Sequence, residues 1–163
     1  ISVNVSRCDI RQDRDIPGQF SSLIQKYNIS PDQLRIEITE TAFAENPDLL
    51  ISNTNRLREL GFQVEMDDFG SGYSSLNMLK EMPLDIIKMD LRFLGGEENK
   101  SRVILKALIE MAQTMGLGVV VEGVEQLSEV EFLRQFENCY LQGYYYSRPV
   151  APEDFEAKLH HAA

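Results

Sequence analysis

The sequence predicts an α/β protein built on a parallel β-sheet, and three observations predict this fold class. Six short apolar or alternating segments take turns with six longer segments of helical periodicity. Successive strands of this kind run parallel, because the intervening helix carries the chain back across the sheet. No linker or low-complexity stretch interrupts the 163 residues, 43% of which are hydrophobic. A doubly wound sheet and part of a (β/α)8 barrel both fit, although a complete barrel usually needs eight units and about 250 residues.

The elements follow one another along the chain as strand and then helix. Predicted strands cover residues 2–6, 34–39, 63–67, 86–89, 118–122 and 140–143. Predicted helices cover residues 18–27, 47–60, 74–81, 100–115, 128–136 and 152–160. Pro47 fits the first turn of a helix, and Gly61 and Gly116 fit the position after a helix end. Ser128 and Glu131 have the spacing of a capping box.

Composition excludes several functional classes. The formal net charge of −10 argues against general nucleic-acid binding, which needs a basic surface. Apolar runs such as residues 119–121 are far shorter than the roughly 20 residues of a membrane-spanning helix. Cys8 and Cys139 belong to no metal-binding or redox motif, so we expect a reduced, cytoplasmic setting. Because the first residue is Ile rather than Met and a predicted strand begins at residue 2, we expect residues 1–163 to form one domain that is truncated at its N-terminus.

Nearly every predicted strand carries a polar or charged residue at or near its carboxyl end. The set comprises Asn4, Glu37, Asp67, Asp68, Lys88, Glu122 and Gln142. Carboxyl ends of parallel strands share one face of the fold, and that face holds the active site. Carboxylates gathered there repel one another unless cations lie between them. Oxygen ligands without His or Cys favour Mg²⁺ or Mn²⁺, and adjacent aspartates could bridge two ions about 4 Å apart.

Each of these residues also has a purely structural interpretation when it is considered alone. Lys88 could pair with Asp85 or Asp90 on an exposed edge, and Glu37 could belong to a solvated face of its strand. The amide residues of the first and last strands could serve turns. Two adjacent aspartates at the end of an apolar strand are harder to explain, because burying them is costly unless something binds them. The recurrence of polar residues at equivalent positions favours a common site.

Residues 67–72, Asp-Asp-Phe-Gly-Ser-Gly, resemble the DDFG[TS]G signature of EAL domains. Further motifs of that family follow in order: Asn4 in Val-Asn-Val-Ser, Glu37 and Glu40 in Glu-Ile-Thr-Glu, Lys88 in Ile-Lys-Met-Asp, Glu122 in Glu-Gly-Val-Glu, and Gln142 in Gln-Gly-Tyr. The resemblance runs over essentially the whole chain. It implies a TIM-like (β/α)8 barrel of the EAL type, here incomplete with about six units. The Glu-Ala-Leu tripeptide that names the family, expected on an earlier strand, is absent from these residues.

The resemblance implies hydrolysis of cyclic di-GMP, a bacterial second messenger, to linear pGpG with the help of two Mg²⁺ or Mn²⁺ ions. Asn4, Glu37 and Asp67 would hold one ion, and Asp67, Asp68 and Glu122 would surround the other. Water activated by these ions would attack phosphorus in line.

The same resemblance implies roles for further residues. The expected catalytic residues are Lys88, Glu122 and Asp68. Lys88 would orient the attacking water and stabilise developing charge, and Glu122 would accept a proton. Glu40 would anchor the loop over residues 69–73. The expected substrate contacts are Gln142, Tyr144 and Arg148.

A second function fits the same resemblance, namely a catalytically inactive receptor or scaffold that binds cyclic di-GMP or a protein partner. Such members usually lose several of the acids that this chain retains, which favours hydrolysis. In either case we expect a homodimer formed through EAL domains and a sensory or GGDEF domain attached in the parent protein. We expect no nucleic acid partner and no membrane contact by this segment. The isolated chain is expected to have weak or no activity, because the first two units of the barrel are missing.

Overall fold

A computed structural model describes residues 1–6, 8–11, 13–70, 75–91 and 98–162. In this part of the chain six strands form one parallel sheet in the order β1-β2-β3-β4-β5-β6. The strands are β1 (Ser2–Val5), β2 (Arg35–Thr39), β3 (Gln63–Asp67), β4 (Ile86–Asp90), β5 (Gly118–Glu122) and β6 (Cys139–Leu141). A doubly wound sheet would reverse its strand order at a switch point. The doubly wound alternative is therefore wrong, and the incomplete barrel is confirmed.

Helices connect the strands in the predicted places. They are α1 (Ile16–Tyr27), α2 (Glu40–Glu45), α3 (Pro47–Glu59), α4 (Ser75–Glu81), α5 (Glu98–Thr114), α6 (Leu127–Leu133) and α7 (Pro152–Ala162), with a 3-10 turn at Pro31–Gln33. The short helix α2 was not predicted, because six residues are too few to show a helical period. The predicted first residue of the fourth helix, residue 74, lies outside the described residues. Within the described residues, none of the helices has the length and apolar character needed to cross a bilayer.

Two of the predicted helix-end signals are confirmed, and the third, a capping box, is wrong. Gly61 and Gly116 have φ angles of 93° and 79°, the left-handed conformation that follows a helix end. The capping box predicted at Ser128 is wrong. Instead, the carboxylate of Glu129 accepts hydrogen bonds from the main-chain N–H groups of Glu125 and Gln126, each at 2.8 Å, so the helix begins earlier than predicted.

The two faces of the sheet carry different side chains, because successive strand residues point to opposite faces. One face is apolar, and its eight central residues are at most 2% exposed: Ile36, Ile38, Val64, Met66, Ile87, Met89, Val119 and Val121. These residues share one hydrophobic core with helix residues such as Leu50, Leu57 and Ile109. The alternate positions, including Glu37, Glu65 and Lys88, form a polar face that is also buried. Burial of both faces is typical of a barrel wall.

The sheet curves around its polar face. The guanidinium carbon of Arg35, on β2, lies 5.5 Å from the ring centroid of Tyr140, on β6. In a flat sheet these strands would be about 19 Å apart, four steps of about 4.8 Å. Lys88 on β4 likewise reaches past β3 to Glu37 on β2. The polar face is therefore the inner face of a curved wall, where residues far apart in sequence meet.

Candidate active site

Four of the predicted side chains meet near the carboxyl ends of four neighbouring strands. The ammonium nitrogen of Lys88 lies 2.9 Å from Glu37 Oε1, 3.0 Å from Asp67 Oδ1 and 2.9 Å from Glu122 Oε1. Lys88 is 4% exposed and Glu37 is 7% exposed, so these charges interact away from bulk water. Three carboxylates thus share one buried cation, and the cluster carries a net negative charge.

The cluster shifts the proton affinities of two of its members. Burial by itself lowers the pKa of Lys88, but its ion pairs with Glu122, Glu37 and Asp67 outweigh burial and raise the pKa above that of an ordinary lysine. Burial raises the pKa of Glu122, and the nearby carboxylates of Asp67 and Glu37 raise it further, although Lys88 opposes both effects. Lys88 therefore stays a cation at neutral pH, and Glu122 is protonated more readily than an ordinary glutamate. A carboxylate with a raised pKa is suited to accepting a proton.

The donor atoms fit a hard divalent cation. Asp67 Oδ1 is buried and accepts no hydrogen bond, and its contact with the Lys88 ammonium group at 3.0 Å is an ion pair. An acceptor without a donor in a cluster of oxygen ligands is suited to Mg²⁺ or Mn²⁺. Among the described residues, however, no three His, Cys, Asp or Glu side chains are already arranged around a common point that could hold a metal. The carboxylates converge on the Lys88 ammonium instead.

Strand pairing places Asn4 beside this cluster. Asn4 is the register partner of Glu37, so the two residues occupy neighbouring positions on the same face of the sheet. Its side chain is exposed, unlike that of Glu37. The amide is therefore available as a further oxygen ligand at the open edge of the site.

The segment that follows β3 leaves the sheet through an uncommon backbone conformation. Asp68 is exposed and has a φ angle of 56°, in the left-handed region that aspartate tolerates better than most residues. The next residue, Phe69, is buried and donates its main-chain N–H to the carbonyl of Lys88 at 3.0 Å. This contact ties the start of the loop to β4. Residues 71–73 of the predicted loop lie outside the described residues.

The predicted loop anchor, Glu40, is the first residue of α2 and is 8% exposed. It comes directly after β2 and therefore lies at the same end of the sheet as Asp67. Residues 71–73, part of the loop that Glu40 is predicted to anchor, lie outside the described part of the chain. The role of Glu40 as an anchor stays a prediction.

The last predicted group lies around a small cavity beyond β5 and β6. A cavity of about 190 Å³ is lined by Glu122, Gly123, Glu125, Gln142, Gly143 and Tyr144. Gln142 follows the last residue of β6, rather than lying within the strand as predicted. Its main-chain N–H bonds the carbonyl of Val121 at 2.9 Å, and its carbonyl accepts from the N–H of Val124 at 3.1 Å. These bonds hold Gln142 next to the loop that carries Glu122.

Gly143 allows this close approach. A Cβ atom at position 143 would collide with the main-chain O and N atoms of Val124. The two loops can therefore touch only because position 143 has no side chain. Tyr144 is 55% exposed, and the guanidinium of Arg148 lies 4.9 Å from its ring centroid. Tyr144 and Arg148 thus form an exposed cation–π pair at the edge of the cavity.

The structure settles two of the alternative interpretations. Glu37 is buried and paired with Lys88, so its placement on a solvated face is wrong. Asp85 pairs with Arg58 at 3.0 Å, while Lys88 is buried among carboxylates rather than lying on an exposed edge. The functional roles of the gathered residues stay predictions.

Two buried polar residues near the cluster were not singled out from the sequence as members of the site. Glu65 is 1% exposed and pairs with Arg35 at 3.0 Å. Asp90 is 5% exposed and is the register partner of Glu122. A usable signal was present, because Glu65 and Asp90 lie two residues from Asp67 and Lys88 and so share their face of the sheet.

The fold and this cluster define an α/β-barrel protein with an ionisable site at the carboxyl ends of its strands. The family model described as "EAL domain" matches residues 1–149. The chain belongs to the EAL domain family.

Known proteins are similar to this chain in sequence or in structure. A curated relative from Escherichia coli K12, named as the probable cyclic di-GMP phosphodiesterase PdeB, is 37% identical over 155 residues, which are 95% of this chain and 29% of PdeB. The EAL domain of Mycobacterium smegmatis DcpA superposes with a TM-score of 0.90 at 28% identity, over 98% of this chain and 72% of that one. The EAL domain of Pseudomonas aeruginosa FimX bound to c-di-GMP superposes with a TM-score of 0.82 at 26% identity, over 91% of this chain and 61% of that one.

Proposed function

We propose that the protein that carries this chain hydrolyses cyclic di-GMP to linear pGpG with the help of two Mg²⁺ or Mn²⁺ ions. The observation that carries the proposal is the convergence of Glu37, Asp67 and Glu122 on Lys88 within 3.0 Å. Membership in the EAL domain family, the phosphodiesterase name of PdeB and the c-di-GMP bound to FimX support the reaction and the substrate.

The proposed metal ligands have oxygen donors and lie on the inner face of the sheet or directly after a strand: Asn4, Glu37, Asp67, Asp68 and Glu122. When bound, the ions would lower the pKa of the attacking water and neutralise negative charge on the phosphodiester. Asp67 Oδ1, which has an ion pair with Lys88 but no hydrogen bond, is the atom best placed to take part. Cations at this position also explain how a chain with a net charge of −10 could bind an anionic substrate.

The chain's own residues have complementary roles in the proposed reaction. Lys88 holds a permanent positive charge where negative charge develops on the phosphoryl oxygens, which stabilises the transition state. Glu122, whose pKa is raised by burial, takes the proton from the attacking water. Exposed groups around the neighbouring cavity, namely Gln142, Tyr144 and Arg148, bind the nucleotide portion of the substrate.

We further propose the setting in which this domain acts. The chain forms one domain of a longer cytoplasmic signalling protein that dimerises through EAL domains and also carries a sensory or GGDEF domain. The match of this chain to only 29% of PdeB is consistent with such an arrangement. Size-exclusion chromatography with light scattering would test the dimer, since a monomeric mass would contradict it.

The test of the proposed function uses the parent protein, meaning the natural gene product that contains these residues. Chromatography should show conversion of cyclic di-GMP to pGpG with Mg²⁺ or Mn²⁺ and none after EDTA treatment. Glu37→Ala and Asp67→Ala should lower kcat by at least about 10³-fold, because each removes a charged group from the reacting centre. Glu59→Gln, at an exposed position at the end of α3, is the matched control and should leave kcat unchanged. Turnover that survives EDTA would overturn the metal proposal, and tight binding without turnover would favour the receptor alternative.

A further inference from the structure

Two buried carboxylates lie side by side on the inner face of the sheet, and only one of them belongs to the active-site cluster. Glu37 and Glu65 are register partners on β2 and β3, so their Cα atoms are neighbours across one strand spacing of about 4.8 Å. Glu37 is 7% exposed and Glu65 is 1% exposed. Each of them therefore needs a positively charged partner.

The two carboxylates are directed to different cations. Glu37 points toward Lys88, whereas Glu65 points toward the amino ends of the strands. There Glu65 Oε1 accepts from Arg35 Nη1 at 3.0 Å, and Oε2 accepts from the hydroxyl of Ser2 at 3.1 Å. The Arg35 guanidinium lies near the ring of Tyr140 on the far side of the curved sheet. Arg35 is thus held from two sides, by a carboxylate and by an aromatic ring.

Without Arg35, Glu65 would depend on the active-site cation. Ser2 is neutral and cannot compensate a buried charge. Lys88 is the only Lys or Arg among the fully buried residues of the described part of the chain. Its side chain crosses β3, the strand of Glu65, to reach Glu37 on β2. Glu65 shares the inner face with Lys88 and lies on the strand that the lysine side chain crosses, so we expect a rotamer change to bring Glu65 to Lys88, which already serves three carboxylates.

We propose that Arg35 is a positioning residue of the active site, which keeps a fourth buried carboxylate, Glu65, from competing for Lys88. Arg35 lies at the amino end of β2, away from the carboxyl-end rim, and does not touch the substrate. Its effect reaches the reaction only through Glu65 and Lys88. The kinetic part of this inference rests on the proposed function, whereas the placement of Glu65 does not.

The test compares Arg35→Met, Glu65→Gln and the double variant in the parent protein. Arg35→Met should lower kcat about 10- to 100-fold with a change in KM below about threefold, because displaced reacting groups slow the chemical step more than they weaken binding. Glu65→Gln should stay within about threefold of the wild type, since its amide can keep the Ser2 contact. The double variant should return to the kcat of Glu65→Gln, because the competing charge is gone. Arg35→Lys should keep most of the activity.

Arg58→Met is the matched control. Arg58 also forms an ion pair with a carboxylate on the wall of the fold, Asp85, at 3.0 Å, but this pair is half-exposed and lies off the inner face. Loss of this pair should affect thermal stability more than kcat. Equal kcat losses in Arg58→Met and Arg35→Met would overturn the proposal. A kcat loss in Arg35→Met that Glu65→Gln does not rescue would also overturn it, since Arg35 would then act independently of Glu65.

A crystal structure of Arg35→Met separates this inference from the proposed reaction. We expect a Glu65 oxygen within hydrogen-bond distance of Lys88 Nζ, and a Glu65 that still points toward Ser2 would overturn the inference. A parent protein that hydrolyses no cyclic di-GMP would refute the proposed function but leave this structural readout intact. If Arg35→Met does not fold, recovery of a folded protein on adding Glu65→Gln would support the same competition. An equally unfolded double variant would overturn it, because packing of the Arg35 stem would then explain the loss.

Discussion

Lys88→Met removes the cation on which three carboxylates converge, and we expect it to destabilise the protein strongly in the absence of divalent cations. Methionine retains the length and apolar character of the lysine stem, so packing should change little. Glu37, Asp67 and Glu122 would then face one another without compensating charge. The perturbation is therefore mainly electrostatic.

The magnitude follows from the burial of the pair. The side chains of Lys88 and Glu37 are only 5% and 9% exposed, so they behave as a buried ion pair. Removing one partner of such a pair costs about 3–5 kcal/mol, because the other is left as an uncompensated buried charge. At 1.36 kcal/mol for each factor of ten, this shifts the unfolding equilibrium by roughly 10²- to 10⁴-fold. The free energy of unfolding of a typical domain is only about 5–15 kcal/mol, so this loss is a large part of the total.

The assay is urea unfolding of the purified protein followed by far-UV circular dichroism, first with EDTA and then with saturating Mn²⁺. Lys106→Met is the matched control, because Lys106 pairs with Glu110 at 3.7 Å with about half of both side chains exposed. Such a surface pair contributes less than about 0.5 kcal/mol. Mn²⁺ should stabilise Lys88→Met more than the wild type, since a bound cation replaces the lost positive charge.

The pH dependence of the stability lost in Lys88→Met shows whether the cause is electrostatic. The pKa of Lys88 is raised in the folded state, so its contribution is fully present below the unfolded lysine pKa of about 10.4 and is lost only as pH rises through the folded value. Over the neutral range the wild-type contribution of Lys88 is therefore constant. In Lys88→Met the unpaired carboxylates take up protons at low pH, so the loss should be smaller near about pH 5 than near about pH 8. Equal urea midpoints for Lys88→Met and Lys106→Met, or a loss that does not change with pH, would refute the reasoning.

Three further predictions concern the surroundings of the site. Gly143→Ala should lower the free energy of unfolding by about 1–3 kcal/mol in urea titrations, because its Cβ would collide with the backbone of Val124. Burial raises the pKa of Glu122, so the folded state holds a proton over a pH range in which the unfolded state has lost it. The free energy of unfolding should therefore fall as the pH rises from the ordinary glutamate pKa through the raised pKa of Glu122 in the folded state. Measurements of this free energy against pH should show that Glu122→Gln removes the fall. Asp85→Ala should cost about 1–3 kcal/mol and speed amide exchange at Val64, whose N–H donates to Asp85 Oδ2 at 2.9 Å.

Each of the three has a control within the chain. Gly118→Ala should be milder than Gly143→Ala, because its Cβ would lie 3.2 Å from a side-chain atom of Ile86, which can shift. Glu125→Gln, at an exposed position in the same cavity as Glu122, should leave the pH slope unchanged. Asp13→Ala removes an exposed pair with Arg11 at 3.4 Å and should cost less than about 0.5 kcal/mol. A variant that matches its control would contradict the corresponding prediction.

Much of the fold could be predicted because the signals are local. A strand such as Gln63–Asp67 was predicted with its observed bounds, since an apolar stretch ending in acids differs sharply from the helices around it. The helix after Asn46 was also predicted, because proline at its first position is a local signal. The capping residue of α6 was missed because Glu129 and Glu131 offer two spacings, and the sequence alone does not choose between them.

The site was predictable in its membership but not in its contacts. The recurrence of polar residues at strand ends indicated Glu37, Asp67, Lys88 and Glu122, because parallel strands bring their carboxyl ends to one face. Nothing local indicated that Lys88 would contact the other three together. That contact depends on the curvature of the sheet, which lets a residue on β4 reach past β3 to β2.

The sequence by itself determined the alternation of strands and helices, the position of acids and a lysine at strand ends, and the membership in the EAL domain family. Only the tertiary structure decided which charges pair: Lys88 with three carboxylates, and Arg35 with Glu65 toward the amino ends of the strands. The physical reason is that strand preference and helix ends depend on neighbouring residues. The sharing of a buried cation depends instead on register and curvature, which arise only when the whole sheet has formed.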